Sequence, residues 1–290
     1  MWSATGAVNI ADGLMLTAFP LLAAGLSERP TEVAGVTVAL HLPWLLFGLV
    51  SGLLLDRYDR RLLLAVANMI RAAALGALAA VVALGAETLV FLYSAAFAYG
   101  MCQTLVDTGV QTLTPRIVAA PHLEAANGRL MAVEMVLNRL VGPAVGGIIF
   151  AVWAGLPIAL GAGALTLAAL LISLLGAQAG AIAEGGRSER WWRDILEGWR
   201  FLIANSLLRA LTMTVAGVNL LFSAGQAVLV LLATERLGLS SAGFGLLLAA
   251  GAVGGFLGSL AASPLKARLS GGRSLAARSS SPGRPPRSWP

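Results

Sequence analysis

Five charged side chains stand inside long apolar runs: Asp12, Arg71, Asp107, Glu134 and Arg139. A charge at the centre of a bilayer-crossing helix costs roughly 2.5–3.5 kcal/mol on insertion scales, so such residues are retained for pairing or for function. Asp12 lies about halfway along the stretch Trp2 to Leu26. It is the first candidate for a proton-coupling or cation-recognising carboxylate; the alternative is a packing carboxylate held by hydroxyl or amide groups. Arg71 comes nine residues after Leu62, about 13 Å into the apolar layer at 1.5 Å per residue, too deep for easy snorkelling. It is expected to pair with an acid, Asp107 or Glu134, within the bundle rather than to touch a substrate. Glu134 and Arg139 are five residues apart, a spacing that does not share an α-helical face closely. Each is expected to find its partner on another helix. Asn9, with Asp107 and Glu134, is a candidate to line a cavity; His41 and Gln103 read more simply as satisfied packing groups.

Catalysis has no comparable footing. The chain shows no Gly-rich phosphate loop ending in Lys-Ser/Thr, no metal-spaced His/Cys cluster and no convincing nucleophile arrangement. With two histidines, His41 and His122, and one cysteine, Cys102, the expectation is no enzyme, no metal and no cofactor. A single cysteine also precludes an intramolecular disulfide and leaves the compartment unread.

The elements that must position these charges are long and apolar. Of 290 residues, 58% are hydrophobic and 12% charged, with mean hydropathy +0.82, about half the charge of an average soluble protein. So few charges cannot cover a water-soluble surface. A span needs about 20 predominantly apolar residues, and eight stretches qualify: Trp2–Leu26, Val33–Leu55, Leu62–Leu84, Leu89–Leu113, Leu130–Trp153, Pro157–Ala177, Ala210–Ala233 and Ala242–Leu265. The first lacks a basic leading region and carries Asp12, which argues against a cleaved signal peptide. The predicted fold is an all-α polytopic membrane bundle.

The net charge of +6 does not point to nucleic acid. Lys266, Arg268, Arg273, Arg278, Arg284 and Arg287 account for all of it, since that tail holds no acid. Among the loops, Arg57, Arg60, Arg61, Arg116, Arg129, Arg187, Arg190, Arg193, Arg200 and Arg209 fall on one side with the tail, leaving Arg29 and Arg236 on the other. The positive-inside rule then places both termini in the cytoplasm. Between the sixth and seventh stretches, Trp191, Trp192, Ile195, Trp199, Leu202 and Ile203 fall on one helical face with charges opposite. This reads as an amphipathic linker, or as an interfacial helix on the inner leaflet. The organisation expected is a six-helix bundle over 1–178, a linker over 179–206, two helices of a second bundle over 207–265, and a basic low-complexity tail over 266–290.

Two motifs carry a family resemblance. The loop after the second stretch runs from Gly52 through three leucines to Asp56-Arg57-Tyr58-Asp59-Arg60-Arg61. Glycine permits close helix approach, a carboxylate at Asp56 could cap the third helix, and the arginines hold the loop inside. The fifth stretch contains Asn138-Arg139-Leu-Val-Gly142-Pro143-Ala-Val-Gly146-Gly147. Pro143 cannot donate to the Arg139 carbonyl and should bend the helix, while Gly142 and Gly146 offer a smooth face. The first resembles motif A and the second motif C of the major facilitator superfamily, motif C being associated with its antiporters. The form of motif A, with Asp59 where glycine is usual, resembles a macrolide-efflux or enterobactin- and siderophore-export branch. Pro115-Arg116 with Asn127, and the segment Trp192–Leu202, are similar to loops of that branch. Gly6-Ala7-Val8-Asn9 is echoed by Ala216-Gly217-Val218-Asn219, as parallel halves would require.

The resemblance implies a proton-coupled exporter of a drug-like or siderophore-like small molecule in the bacterial inner membrane. Its partners would be that substrate, protons and the lipid bilayer. It also implies twelve helices, with the motif A aspartate engaging the eleventh. After the eighth stretch the chain turns to Arg, Pro, Gly and Ser, a composition that forms no packed element and that a shifted frame in GC-rich DNA tends to encode. The expectation is therefore a truncated or frameshifted product. Alternatives are a non-transporting remnant, or an importer of the same fold, which motif C disfavours.

Overall fold

The computed structural model describes residues 2–118, 120–174 and 200–258. The basic tail and most of the expected amphipathic linker helix lie outside the described residues; of the latter, 200–204 are helical. The chain divides into two compact units, Met1–Ala249 and Ala250–Pro290, and every site discussed below lies in the first.

Helices α1 (Trp2–Leu26), α2 (Pro30–Arg57), α3 (Arg60–Ala83) and α4 (Leu89–Ile117) follow one another through short turns. A fifth span, Leu123–Val152, is composite: α5 (Leu123–Val133), a π-helical segment (Glu134–Val141) and α6 (Gly142–Val152). Helix α7 (Gly155–Ser173) completes the first set, and α8 (Ser206–Leu231) runs into a short π segment, Leu232–Arg236. A last described helix covers Ser241–Gly258. Seven helices among the described residues are long and apolar enough to cross a bilayer. The expected seventh stretch, Ala210–Ala233, corresponds to α8, which is not among those seven although its 26 residues suffice in length. The chain is thus an all-α, multi-pass membrane bundle.

Helix α1 sits at the centre, packed against α7, α6, the π segment, α2 and α4. Ala11, Ala18 and Ala23 are fully buried, and their small side chains let neighbours approach closely, which drives helix association in lipid. Around this axis α3 pairs with α7, and α2 with α4. By contrast α2 exposes Val38, Leu42, Trp44, Leu46 and Val50.

Each turn is built from its own residues. After α3, Gly85 adopts φ +62°; its N–H reaches the Val82 carbonyl at 3.1 Å and the Ala86 N–H reaches Val81 at 3.1 Å. That pair of bonds is a Schellman stop, and the left-handed conformation is why glycine stands there. Thr88 then caps α4. Before α2, Glu32 gathers Ser27 Oγ (2.6 Å) and Arg29 (3.1 Å), while the Tyr93 hydroxyl donates to the Glu32 carbonyl at 2.6 Å, tying this turn to α4.

Candidate functional site

The deepest charge in the bundle is Arg71, with no exposed surface. It sits on the buried face of α3, and its terminal nitrogens find partners on three helices. One donates to Asp12 of α1, forming an ion pair. Another donates to the Oδ1 of Asn68, one turn back on α3, at 3.2 Å. The guanidinium carbon lies 4.1 Å from the ring centroid of Tyr99 on α4, a cation–π contact. The Tyr99 hydroxyl closes the circuit by donating to the same Asp12 oxygen. Phe19 of α1 meets the edge of the Tyr99 ring at 5.7 Å. A buried pair survives only when its remaining lone pairs and protons are satisfied, and here they nearly are: the exception is Arg71 Nε, buried without an acceptor.

This geometry corrects one expectation. The acid that holds Arg71 is Asp12, not Asp107 or Glu134, because the long Arg71 side chain reaches across from α3 to α1. Asn68 and Tyr99 were not singled out from the sequence. The available signal was Asn68 three residues before Arg71, on the same helical face, in an otherwise apolar run.

Asp107 lies two turns beyond Tyr99 on α4 and is partly buried. Gln103, Asp107 and Gln111 recur every four residues and so form one polar stripe along the helix. Asp107 makes no hydrogen bond or ion pair among the described residues, yet lies within electrostatic reach of Asp12, Arg71 and Glu134. On α1, the Asn9 amide donates to the Thr5 carbonyl at 2.9 Å and accepts from Asn138 of the π segment at 3.5 Å.

A second correction concerns Glu134 and Arg139. They pair with each other at 3.8 Å, both about half exposed. Their spacing argued against this on an α-helix, but 134–141 is π-wound, with the Gly142 N–H bonded back to Leu137. An i→i+5 winding widens the turn and brings residues five apart round to one face. The bend expected from Pro143 takes this form: the α-winding gives way just before the residue that cannot donate.

The motif C glycines are contact points on two sides. A methyl group on Gly142 would stand 2.5 Å from Gly13 Cα, and one on Gly146 would stand 2.3 Å from Thr17 Oγ1, both on α1. A methyl on Gly13 would meet the carbonyl oxygens of Leu137 and Asn138 at 2.7 and 2.8 Å, so its absence makes room for the widened turn. On the other side of α6, Gly147 faces Gly245 of the last described helix. A methyl on Gly147 would lie 2.4 Å from the Ser241 carbonyl, and one on Gly245 would lie 2.3 Å from that of Pro143.

The motif A loop brings a third correction. Asp59, not Asp56, caps α3, accepting from the Arg61 and Leu62 N–H groups at 2.9 and 3.3 Å. Helix α2 runs on to Arg57, which leaves Asp56 inside it and Asp59 in the extended N-cap position. Asp56 instead pairs with Arg60 at 3.0 Å. Arg60 is buried and also donates to the Leu55 carbonyl (2.8 Å) and towards Thr112 of α4 (3.5 Å). Arg61 donates to the carbonyl of Ser173, at the last turn of α7, while Arg57 is exposed at the end of α2. Gly52 supports no close approach here: a methyl there would meet nothing within 4 Å.

Residues 1–280 match the family described as transmembrane secretion effector. Two relatives are similar over a shorter stretch: uncharacterized transporters of the major facilitator type from Mycobacterium bovis and Mycobacterium tuberculosis. Each is 32% identical over 103 residues, 36% of this chain and 23% of the relative's length.

Proposed function

The chain belongs to the transmembrane secretion effector family of the major facilitator superfamily, and from that premise we propose that it exports a small drug-like or siderophore-like molecule across a bacterial inner membrane, by alternating access coupled to protons. Both termini face the cytoplasm in this reading, with the motif A loop on that side, as the arginine distribution requires.

The observation that carries the proposal is the pair of glycine crossings on α6. One face touches α1 through Gly13 and Gly142, the other touches the last described helix through Gly147 and Gly245. At these crossings backbone meets backbone, since glycine carries no Cβ, while the side chain nearby that is buried, Phe244, is apolar; such contacts hold no directional bond that a tilt would have to break. Alternating access needs such a bearing between two sets of helices. Proton coupling is supported by the charge count within the spans. Asp12 and Glu134 each have an arginine partner, while Asp107 has none among the described residues and is placed to exchange a proton or meet a substrate.

The test is loss of a preloaded fluorescent amphiphile from energised bacteria expressing the 290-residue chain. Export that stops on adding a protonophore, and that falls at least tenfold with Gly147→Leu, supports the reading. Dye retained as in empty cells refutes export, and net uptake would assign the opposite direction.

A further inference from the structure

Three carboxylates and two guanidinium groups stand within the spans of the first helix set, Asp12, Asp107 and Glu134 against Arg71 and Arg139, the last pair half exposed. The ion pairs consume two of each, Asp12 with Arg71 and Glu134 with Arg139. One acid is in excess, and it is Asp107, the one without a hydrogen bond or ion pair among the described residues. With no partner fixed to it, its carboxyl can take up or release a proton without breaking an ion pair. We propose that Asp107 carries the exchangeable proton of this protein, and that the Asp12–Arg71–Tyr99–Asn68 cluster is the fixed charge framework against which it titrates. This rests on the proton-coupled export reading and names its carrier.

The distinction between Asp12 and Asp107 is geometric. Asp12 accepts from both Arg71 and Tyr99 and is 7% exposed. Protonating it would strand the most deeply buried cation in the bundle. Asp107 can gain or lose a proton without breaking any bond. It belongs to the polar stripe with Gln103 and Gln111, which runs towards the end of α4 where Thr112 meets Arg60 and offers a polar route for a proton. When the proton leaves to water, the carboxylate that remains lies within electrostatic reach of Arg71 on α3, whose Nε is buried without an acceptor.

The charged and titratable groups around Asp107 are few. Helix α1 presents Asp12, α3 presents Arg71, and the π segment presents Glu134 with Arg139. On α4 itself stands Tyr99. Helix α2 carries His41, its ring bonded to the Thr37 carbonyl, and at its end the Asp56–Arg60 pair near Thr112. Of these, Asp12, Arg71 and Glu134 act on Asp107 directly.

Infrared difference spectroscopy of the purified full chain, titrated across the neutral range, reads the protonated carboxyl C=O stretch without needing transport. The expected result is a titrating band of one carboxyl group, lost in Asp107→Asn, restored in Asp107→Glu and retained in Glu134→Gln. A band that survives Asp107→Asn, a band that vanishes in Glu134→Gln, or no titrating band in the unaltered chain would each overturn the assignment. Asp107→Asn removes no hydrogen bond and is isosteric, so its elution from a sizing column should match the parent. The band behaving as expected in a chain that exports nothing would sink the export reading while leaving the proton site intact. Export with an unchanged band in Asp107→Asn would do the reverse.

Discussion

Replacing Arg71 by Met should be among the most damaging single changes in the bundle, and most of the damage should be reversed by a second change. The substitution removes the cation that pairs with Asp12, leaving a buried carboxylate whose remaining partner among the described residues is the Tyr99 hydroxyl. Breaking a buried pair from one side costs about 3–5 kcal/mol. The cation–π contact with Tyr99 and the bond to Asn68 are lost together with the pair, and such terms do not add. The expected change in the unfolding equilibrium is therefore about 10²- to 4 × 10³-fold, at roughly 1.4 kcal/mol per decade. Asp12→Asn in the Arg71→Met background removes the stranded charge while keeping an acceptor for Tyr99. A buried pair exchanged for neutral groups of similar volume is often neutral in stability, so the double variant should recover at least about 2 kcal/mol of the loss. The measurement is reversible unfolding of the full chain in mixed micelles, followed by tryptophan fluorescence for the parent, both single variants and the double. A double variant as unstable as the sum of the singles would show that Asp12 and Arg71 do not act as a pair.

Tyr99→Phe keeps the ring over Arg71 and removes one hydrogen bond to a carboxylate, which should cost about 1–3 kcal/mol in the same unfolding assay. Gly142→Ala places a methyl 2.5 Å from Gly13 Cα, where only backbone can yield, so it should destabilise by about 1–3 kcal/mol and lower dye export. Gly52→Ala meets nothing within 4 Å and should be neutral or stabilise by up to about 1 kcal/mol through helix propensity; a loss beyond 1 kcal/mol would contradict the open surroundings of that residue. Asp59→Ala should cost about 1 kcal/mol as a lost N-cap, while Asp56→Ala, which removes the exposed acid of a pair across the α2–α3 turn, should cost less. Equal losses at the two positions would argue against the capping assignment.

What could be read without coordinates was whatever depends on one helix at a time. Apolar length found the spans from Trp2 onward, and the glycine spacing at Gly142 and Gly146 marked a face that would touch something. What failed depended on phase between helices, or on winding. Whether Arg71 meets Asp12 or Asp107 is decided by the rotation of α1, α3 and α4 about their axes, which a single chain of letters does not carry. The Glu134–Arg139 pair was excluded by a rule for 3.6 residues per turn that the π segment does not obey. The cap was assigned to Asp56 instead of Asp59 because helix ends are uncertain by a residue or two, and three residues are enough to exchange a cap for an ion pair.

The placement of the strong and weak joints limits how the bundle can move. Polar ties hold the first set of helices to one another: the Arg71 cluster joins α1, α3 and α4, Arg60 joins the end of α2 to α4, and Arg61 joins the start of α3 to α7. Each is directional, and each would be broken by sliding one helix past the next. Contact with the last described helix runs through Gly147 and Gly245 and through the buried Phe244, contacts that are apolar rather than directional. A motion that preserves the first kind of contact and uses the second must turn the set as a body about α6. Asp107 lies inside that body, on a polar stripe that runs towards the end of α4, so its proton can exchange while the surrounding pairs stay made. Coupling then needs no rupture of the Asp12–Arg71 pair during a cycle. A disulfide engineered between α3 and α4, which pack against each other beside that pair, should therefore leave dye export within about twofold of the uncrosslinked chain, whereas one between α6 and the last described helix should abolish it. The opposite pattern would place the moving joint inside the first set and refute this division.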